Sequence, residues 1–213
     1  TLIKNVEQKM VNKQALAEKF GFEFNEDTPI IGLISRLYDS KGFDLVEKIL
    51  PDLLKMDLQM IVLGTGDKKY HTFFDQMARK HADKFACYLG FNDDLAHLIE
   101  GGSDIFLMPS KYEPCGLNQM YSLNYGTIPV VRETGGLADT VVKFNEKTKE
   151  GNGFVFNKYN AADFLNEIKR ALKIYKDKET WNKIVKTAMK EDFSWHSSAK
   201  KYIDLYKTIL NEN

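Results

Sequence analysis

The stretch SKYEPCGLNQMYSLNYGTIPVVRETGGLADT, residues 110–140, decides the fold of this chain. The apolar run that leads into it, residues 104–110, predicts a short buried strand that ends near a proline. Helical spacing over residues 115–125, with Gly126 in the position of a C-cap glycine, predicts a helix. Residues 127–132 then read as the next strand, and the TGG sequence after it opens another helix. The stretch therefore contains two consecutive strand–loop–helix units.

Each of these units carries a polar, glycine-bearing loop between its strand and its helix. In an open parallel sheet such loops share the carboxyl edge of the strands, where ligands bind. Free backbone N–H groups and the helix dipole favour anions at a helix N-terminus. The first loop also carries a carboxylate, Glu113. We therefore expect a site for a phosphorylated ligand at this edge.

Strands and helices alternate through the rest of the chain as well. Apolar runs predict further strands at residues 30–37, 58–64, 84–91 and 153–157. Helical periodicity predicts helices at residues 9–22, 43–56, 68–81, 94–101, 161–175, 180–189 and 197–210. This alternation predicts an α/β fold with a doubly wound parallel sheet.

The composition excludes several classes of protein. With 213 residues, of which 43% are hydrophobic, the chain can bury a sizeable core. Thirty basic residues balance thirty acidic ones, so no net charge points to nucleic acid or to an acidic membrane. The two cysteines, Cys87 and Cys115, lack the spacing of metal ligands, and we expect neither a disulfide nor a zinc site. No apolar run approaches the length of a membrane-spanning helix.

The motif EPCGL followed by GGLADTV resembles the bacterial glycogen synthase and plant starch synthase family. Residues 35–45, SRLYDSKGFDL, resemble the Arg-x4-Lys-Gly element of that family, and LGTGD, residues 63–67, resembles its second glycine loop. LGFND, residues 89–93, and FSWHSSAKKYIDLY, residues 193–206, agree as well. The resemblance covers almost the whole chain from about residue 9 onward.

The resemblance implies the C-terminal, donor-binding half of a two-domain GT-B glycosyltransferase with a Rossmann-like fold. Such hexosyltransferases transfer glucose, with retention, from ADP-glucose to the non-reducing end of an α-1,4-glucan. The acceptor groove would belong to an N-terminal half, so we expect a fragment that binds ADP-glucose or ADP without turnover. The implied parts are a linker helix region at residues 1–27, a nucleotide-sugar-binding domain at 28–192 and a helix at 193–213 that crosses back. We expect a cytoplasmic location, or a plastid if the source is a plant.

Two cations lie at the carboxyl end of the first strand and in the loop after it, and the resemblance gives them a role in catalysis. Arg36 and Lys41 stand five residues apart across a tight turn, so both can reach one diphosphate. The alternative is a pair of solvated surface cations. Gly64, after the second strand, lets a ligand approach the backbone closely, but a tight turn needs the same glycine. Neutralisation by these cations needs no metal, and the sequence lacks the Asp-x-Asp pattern of metal-dependent transferases. We expect no cofactor.

Further nucleotide contacts are implied at three other loops. Gly90 and Phe91 end the third strand, where the family has an aromatic residue against the base; the alternative is a core phenylalanine. Asn118 stands where many relatives carry threonine, and it can still hydrogen-bond a phosphate. Thr134 and Gly135 offer backbone N–H groups to the diphosphate.

The sugar contacts are implied within the EPCGL motif. Glu113 is expected to accept a hydrogen bond from a glucose hydroxyl and to support positive charge in the transition state; the alternative is a helix cap. Backbone N–H groups of Cys115, Gly116 and Leu117 would hold sugar hydroxyls. A double displacement needs two carboxylates about 5 Å apart. Glu113 is the only one in the loop, so it is not assigned as a nucleophile.

Three alternatives remain open from the sequence. One is a transferase of the same fold that uses UDP-glucose. Another is a sucrose or sucrose-phosphate synthase, but those usually read E-x7-E, and here the second position is Tyr121. The last is a nucleotide-sugar-binding module that never catalyses.

Overall fold

The structure is a computed structural model that describes residues 6–211, with side chains described for residues 8–210. Within that range, six parallel strands form one sheet. The strands are β1 (Ile30–Ile34), β2 (Gln59–Leu63), β3 (Phe85–Tyr88), β4 (Ile105–Met108), β5 (Ile128–Arg132) and β6 (Phe154–Phe156). Their order across the sheet is β3-β2-β1-β4-β5-β6, and neighbouring strands pair in parallel. The predicted doubly wound parallel sheet is confirmed.

Helices cover both faces of the sheet. In chain order they are α1 (Val6–Phe20), α2 (Phe43–Leu53), α3 (Lys68–Lys80), α4 (Asp93–Gly102), α5 (Asn118–Asn124), α6 (Gly135–Thr140), α7 (Ala161–Tyr175), α8 (Lys178–Ala188) and α9 (Trp195–Asn211). Strand residues alternate between the two faces because the side-chain period of a strand is two. Ile31 and Leu33 pack with the large core under α2 and α7, whereas Ile30 packs with the smaller core under α1 and α4.

The direction of the chain changes at the boundary between β1 and β4. Ile31 of β1 pairs with Met60 of β2 on one side and with Ile105 of β4 on the other. The chain runs outward from β1 to β2 and from β4 to β5, so the loops after β1 and β4 leave in opposite directions. A crevice opens between such loops at the carboxyl edge, and this is where doubly wound sheets bind ligands.

Helix α1 is fixed to the sheet domain by a buried lysine. Lys13 Nζ lies 2.9 Å from Asp104 Oδ2 and donates a hydrogen bond to Tyr175 Oη at 2.9 Å. The described part of the predicted linker region, residues 6–27, therefore packs onto the sheet domain. Residues 1–5 of that region lie outside the described residues, and the boundary after residue 27 stays a prediction.

Helix α5 begins later than the sequence indicates. The helical spacing predicts a start at Cys115, but the helix begins at Asn118. Gly116 has a φ of 75°, and the Gln119 side-chain amide donates to the carbonyls of Cys115 and Gly116 at 3.1 and 3.0 Å. Residues 115–117 therefore form a turn held by Gln119. The prediction of a helix over these three residues was wrong.

Helix α9 projects most of its side chains into solvent. Trp195 is 88% exposed, and Tyr202, Leu205 and Tyr206 are exposed along the helix. Residues 212–213 of the predicted crossing helix lie outside the described range. Among the helices of residues 6–211, none combines the length and the apolar character needed to span a membrane.

Candidate active site

A cleft of about 400 Å³ opens at the carboxyl edge of the sheet, where β1 and β4 part. The last residues of these strands, Ile34 and Met108, line it together with α4 and α5. Most of the predicted site residues lie on its walls: Arg36, Lys41, Gly64, Gly90, Phe91, Glu113, Gly116, Leu117 and Asn118. The cleft therefore coincides with the reversal of strand order.

The loop after β1 is held against the loop after β4 by a glycine. Gly42 has a φ of 82°, and a Cβ atom there would lie 2.2 Å from the carbonyl oxygen of Pro109. Only glycine fits both the left-handed backbone and this close approach. The short 3₁₀ turn before it, Asp39–Lys41, ends with Lys41 directed toward the neighbouring loop.

Lys41 and Glu113 form an ion pair in the cleft. Lys41 Nζ lies 2.6 Å from Glu113 Oε2, and their side chains are 18% and 11% exposed. Ser110 Oγ donates a second hydrogen bond to the same carboxylate oxygen at 3.2 Å. Because an isolated buried carboxylate is costly, the lysine offsets the cost of burying it. The sequence assigned these two groups to different parts of a ligand, but here they contact each other.

Arg36 is the exposed cation of the cleft. Its guanidinium carbon lies 5.9 Å from the centre of the Tyr38 ring. Within the described residues, no carboxylate lies within ion-pair distance of it. The guanidinium is therefore available to an anionic ligand, for which its planar fork of donors is well suited.

The glycines of the loop after β2 serve the packing of two loops. A Cβ atom on Gly64 would lie 1.9 Å from the Ser35 carbonyl oxygen, and one on Gly66 would lie 2.5 Å from that of Leu37. Leu37 N donates to the Thr65 carbonyl at 2.9 Å, which joins the two loops further. Close backbone packing thus accounts for both glycines, while Gly64 also lines the cleft.

Phe91 stands at the cleft with 86% of its surface exposed. The alternative of a core phenylalanine is therefore wrong. Asn92, the next residue, caps α4 by accepting a hydrogen bond from Leu95 N at 2.9 Å. An exposed aromatic face beside a cleft can stack on a flat ring. Stacking on a nucleobase stays a prediction.

The EPCGL turn contributes only part of itself to the cleft. Gly116, Leu117 and Asn118 line the cleft, whereas Cys115 is exposed outside the lining. Asn118 Nδ2 donates to the carbonyl oxygen of Ile34 at 3.3 Å. This amide therefore connects α5 to the end of β1.

Thr134 and Gly135 lie behind the EPCGL turn and do not line the cleft. A Cβ atom on Gly135 would lie 2.1 Å from the carbonyl oxygen of Glu113. Gly136 N donates to that same oxygen at 3.0 Å. Gly135 and Gly136 therefore support the loop that carries the Glu113 carboxylate.

Arg132, which the sequence reading missed, supports the same loop from β5. Its Nε donates to the Ser110 carbonyl at 3.0 Å, and its terminal nitrogen donates to the Lys111 carbonyl. The guanidinium also lies 5.6 Å from the centre of the Tyr159 ring. Its position at the end of a predicted strand, just before TGG, is the signal that could have identified it.

His97 and Glu100 also line the cleft, and neither was predicted as a site residue. Glu100 is 3% exposed, and burial raises the pKa of its carboxyl to about 7. The two side chains lie one helical turn apart on α4. That spacing was the available signal, but a short helix with polar residues is common on protein surfaces.

No group of three or more His, Cys, Asp or Glu side chains within residues 6–211 is arranged to hold a metal ion. Independence from metals stays a prediction.

The Cys87 thiol is half-buried. Its burial, and to a lesser extent the nearby negative charge of Asp75, raises its pKa to about 11. A thiol in this state is a poor nucleophile.

Comparisons with known proteins agree with this architecture. A family model described as "Glycosyl transferases group 1" matches residues 15–188. The chain is 51% identical to a glycogen synthase of Bacillus cereus (strain B4264) over 203 residues, which are 95% of this chain and 43% of that protein. It is 48% identical to a glycogen synthase of Pseudothermotoga lettingae over 211 residues, or 99% of this chain and 43% of that protein. The chain thus spans less than half the length of these relatives.

Solved structures show the same arrangement. The catalytic domain of Starch Synthase IV from Arabidopsis thaliana, bound to ADP and acarbose, superposes with a TM-score of 0.86 at 35% identity, covering 96% of this chain and 43% of that one. A sucrose-phosphate synthase from Thermosynechococcus elongatus has a TM-score of 0.67 at 18% identity, covering 94% and 49%, and supports the fold alone. With the family match over most of its length, the chain belongs to the group 1 glycosyl transferases.

Proposed function

We propose that this chain is the donor-binding half of a glycogen-synthase-type glucosyltransferase. Its full-length form would transfer glucose, with retention, from ADP-glucose to the non-reducing end of an α-1,4-glucan. One observation carries the proposal: a guanidinium with no carboxylate partner among the described residues, a Lys–Glu pair and an exposed aromatic ring surround one cleft at the reversal of strand order. The glycogen synthase relatives and the ADP-bound starch synthase support it.

The donor would lie along the cleft with its parts on different walls. Its base would stack on Phe91, and its diphosphate would meet Arg36 and Lys41. Its glucose would reach Glu113 and the turn after it. In the reaction the bond from glucose C1 to the diphosphate breaks and a bond to the acceptor oxygen forms. The proton of the acceptor hydroxyl leaves with ADP.

The cations would supply electrostatic stabilisation where charge develops. The leaving diphosphate gains negative charge as the glycosidic bond to it breaks, and fixed guanidinium and ammonium groups favour that state. Glu113, freed from Lys41 as the lysine turns to the phosphate, would face the cationic sugar. This division of labour requires no metal ion.

The α-1,4-glucan would bind through the half of the protein that lies outside this chain. The exposed face of α9 supports a return of that helix toward the other half. We therefore expect nucleotide binding without glucan elongation by this chain. A cytoplasmic location remains a prediction.

Calorimetric titration with ADP and UDP tests the donor site. Arg36→Ala should weaken ADP binding by about tenfold to a hundredfold, because the hydrogen-bonded charge pair between the guanidinium and the diphosphate is lost. Arg79→Ala is the matched control, since Arg79 pairs with Asp75 on α3 outside the cleft lining. Equal binding by wild type and Arg36→Ala would refute this placement of the diphosphate. Weaker binding of ADP than of UDP would favour a UDP-glucose enzyme.

A further inference from the structure

We propose that His97 and Glu100 determine which base the cleft accepts: His97 contacts the nucleobase, and Glu100 positions the imidazole from behind. The inference rests on the proposed function and deepens it by naming a specificity determinant in the same cleft.

The buried carboxyl of Glu100 is the first observation. Its side chain lies in the cleft lining yet is almost fully buried. Within residues 6–211, its Oε2 atom has no hydrogen-bond partner. Buried polar atoms are nearly always hydrogen-bonded, so an unsatisfied carboxyl oxygen beside a cleft needs an explanation. A role in ligand binding provides one, because functional sites retain groups that cost stability.

His97 stands between this carboxyl and the open cleft. Its Nδ1 lies 3.4 Å from Glu100 Oε2, within ion-pair range but longer than a usual hydrogen bond. Its imidazole is half exposed and lines the cleft. Nε2 lies 3.9 Å from Asp93 Oδ2, and the ring centre lies 6.5 Å from that of Tyr125. A ligand in the cleft therefore meets the imidazole before it meets the buried carboxyl.

The pair belongs to the helix that directly follows the exposed aromatic ring in the cleft lining. Helix α4 begins two residues after Phe91, and Asp93, Ala96, His97 and Glu100 face the cleft at helical spacing. The cations proposed to hold the diphosphate come from the loop after β1. The pair is therefore placed to meet the nucleoside part of a nucleotide.

The chemistry of the pair favours a base with an exocyclic amino group. With Glu100 ionised, a neutral His97 directs its Nδ1–H toward the carboxylate, which leaves Nε2 as a hydrogen-bond acceptor. An acceptor pairs with the exocyclic amino group of adenine, whereas uracil offers it only the N3–H that lies between two carbonyl oxygens. Burial raises the pKa of Glu100 to about 7, so its carboxyl is mostly ionised at pH 8.

Calorimetric titrations of the 213-residue chain at pH 8 with ADP, UDP and pyrophosphate test the inference. We expect wild type to bind ADP about tenfold more tightly than UDP, the contribution of about one hydrogen bond. The ratio should fall to about one in His97→Ala and Glu100→Met. Glu100→Gln should keep most of the preference, because its amide oxygen still accepts the Nδ1–H. Pyrophosphate affinity should stay within about twofold in every variant.

The controls separate specificity from folding. Asp94→Asn, on the same helix but outside the cleft lining, should change none of the three affinities. Glu100→Met should unfold within a few degrees of wild type, since an apolar side chain replaces a buried carboxyl whose pKa burial has raised to about 7. A lower unfolding temperature together with loss of pyrophosphate binding would show a structural role and overturn the inference.

Two further results would also be decisive. An ADP-to-UDP ratio that is unchanged in His97→Ala and Glu100→Met, or a wild type without base preference, overturns the inference and leaves the donor site intact. Failure of wild type to bind ADP, UDP and pyrophosphate overturns the proposed donor site, and the inference with it.

Discussion

At the scale of single residues, the ion pair between Lys41 and Glu113 determines the charge that a ligand meets. In the free cleft each group neutralises the other at 2.6 Å. A diphosphate must therefore compete with a carboxylate for the lysine. Arg36 has no carboxylate partner in the part of the chain that the structure describes, so it can bind without such competition. The pair also keeps the Glu113 carboxylate in place before a sugar arrives.

Glu113→Gln should change the affinity for ADP-glucose differently from the affinity for ADP. ADP affinity should stay the same or rise by up to about fivefold, because Lys41 loses its ionic partner. ADP-glucose should lose about tenfold relative to ADP, since a charged hydrogen bond to the sugar is weakened. Titrations with both ligands measure the ratio, with exposed Glu133→Gln as the control. An equal loss of both ligands would contradict contact between Glu113 and the sugar.

Gly42→Ala should destabilise the protein by more than about 3 kcal/mol, because a left-handed backbone and a carbonyl contact are both violated. Gly21→Ala provides the matched control. Gly21 also has a positive φ, of 71°, but nothing lies within 4 Å of its added Cβ. It should cost only about 1–2 kcal/mol. Urea unfolding measures both free energies, and equal losses would show that the contact with Pro109 is unimportant.

The sequence predicted the members of the cleft better than their contacts. Arg36, Phe91 and Glu113 were identified because motifs preserve residue identity. The Lys41–Glu113 contact was missed, since it joins residues 72 positions apart and depends on how two loops pack. Glu100 was missed because one carboxylate in a short helix resembles any solvated surface group.

At the scale of elements, apolar runs and periodicity were sufficient for the strands and most helices. The spacing over residues 161–175 predicted α7 with both of its observed ends. It failed at the start of α5, where Gly116 and the Gln119 side chain stabilise a turn instead. Periodicity reports which face is apolar, but it does not report a side chain that competes for backbone carbonyls.

Helix α1 should make stability depend on pH through Lys9. Lys9 Nζ donates to the Thr127 hydroxyl at 2.6 Å and to the Gly101 carbonyl at 3.2 Å. Burial, opposed by Asp104 and assisted by Lys13, lowers the pKa of Lys9 from 10.5 to about 7. Between pH 7 and 10 the unfolded chain therefore binds more protons than the folded one. The free energy of unfolding should rise with pH there.

The Lys9 contribution should approach about 1.4 kcal/mol per pH unit at most. Lys9→Met removes the titrating group, so its free energy of unfolding should rise less steeply than that of wild type. Urea unfolding at pH 7, 8, 9 and 10 compares the two slopes. Parallel slopes would show that Lys9 keeps its proton in the folded state.

At the scale of the whole molecule, the chain combines a well-packed sheet domain with a helix that contributes little to it. Most side chains of α9 are exposed, whereas α1, α4, α7 and α8 bury their apolar faces. Truncation after residue 194 should therefore shift the thermal midpoint by less than about 2 °C. Trp181→Ala, which opens the buried contact with Phe154 and Tyr175, should lower it by about 6 °C or more. A large shift on truncation would show that α9 stabilises the sheet domain.

The glycines that seat one loop against another also affect the thermodynamics of binding. Backbone carbonyls of Ser35, Pro109 and Glu113 lie where the side chains of Gly64, Gly42 and Gly135 would otherwise stand. The walls of the cleft therefore consist of closely packed main chain, which has little conformational freedom before a ligand binds. A nucleotide that enters has few segments to order, so association should carry only a small penalty in conformational entropy from the loops.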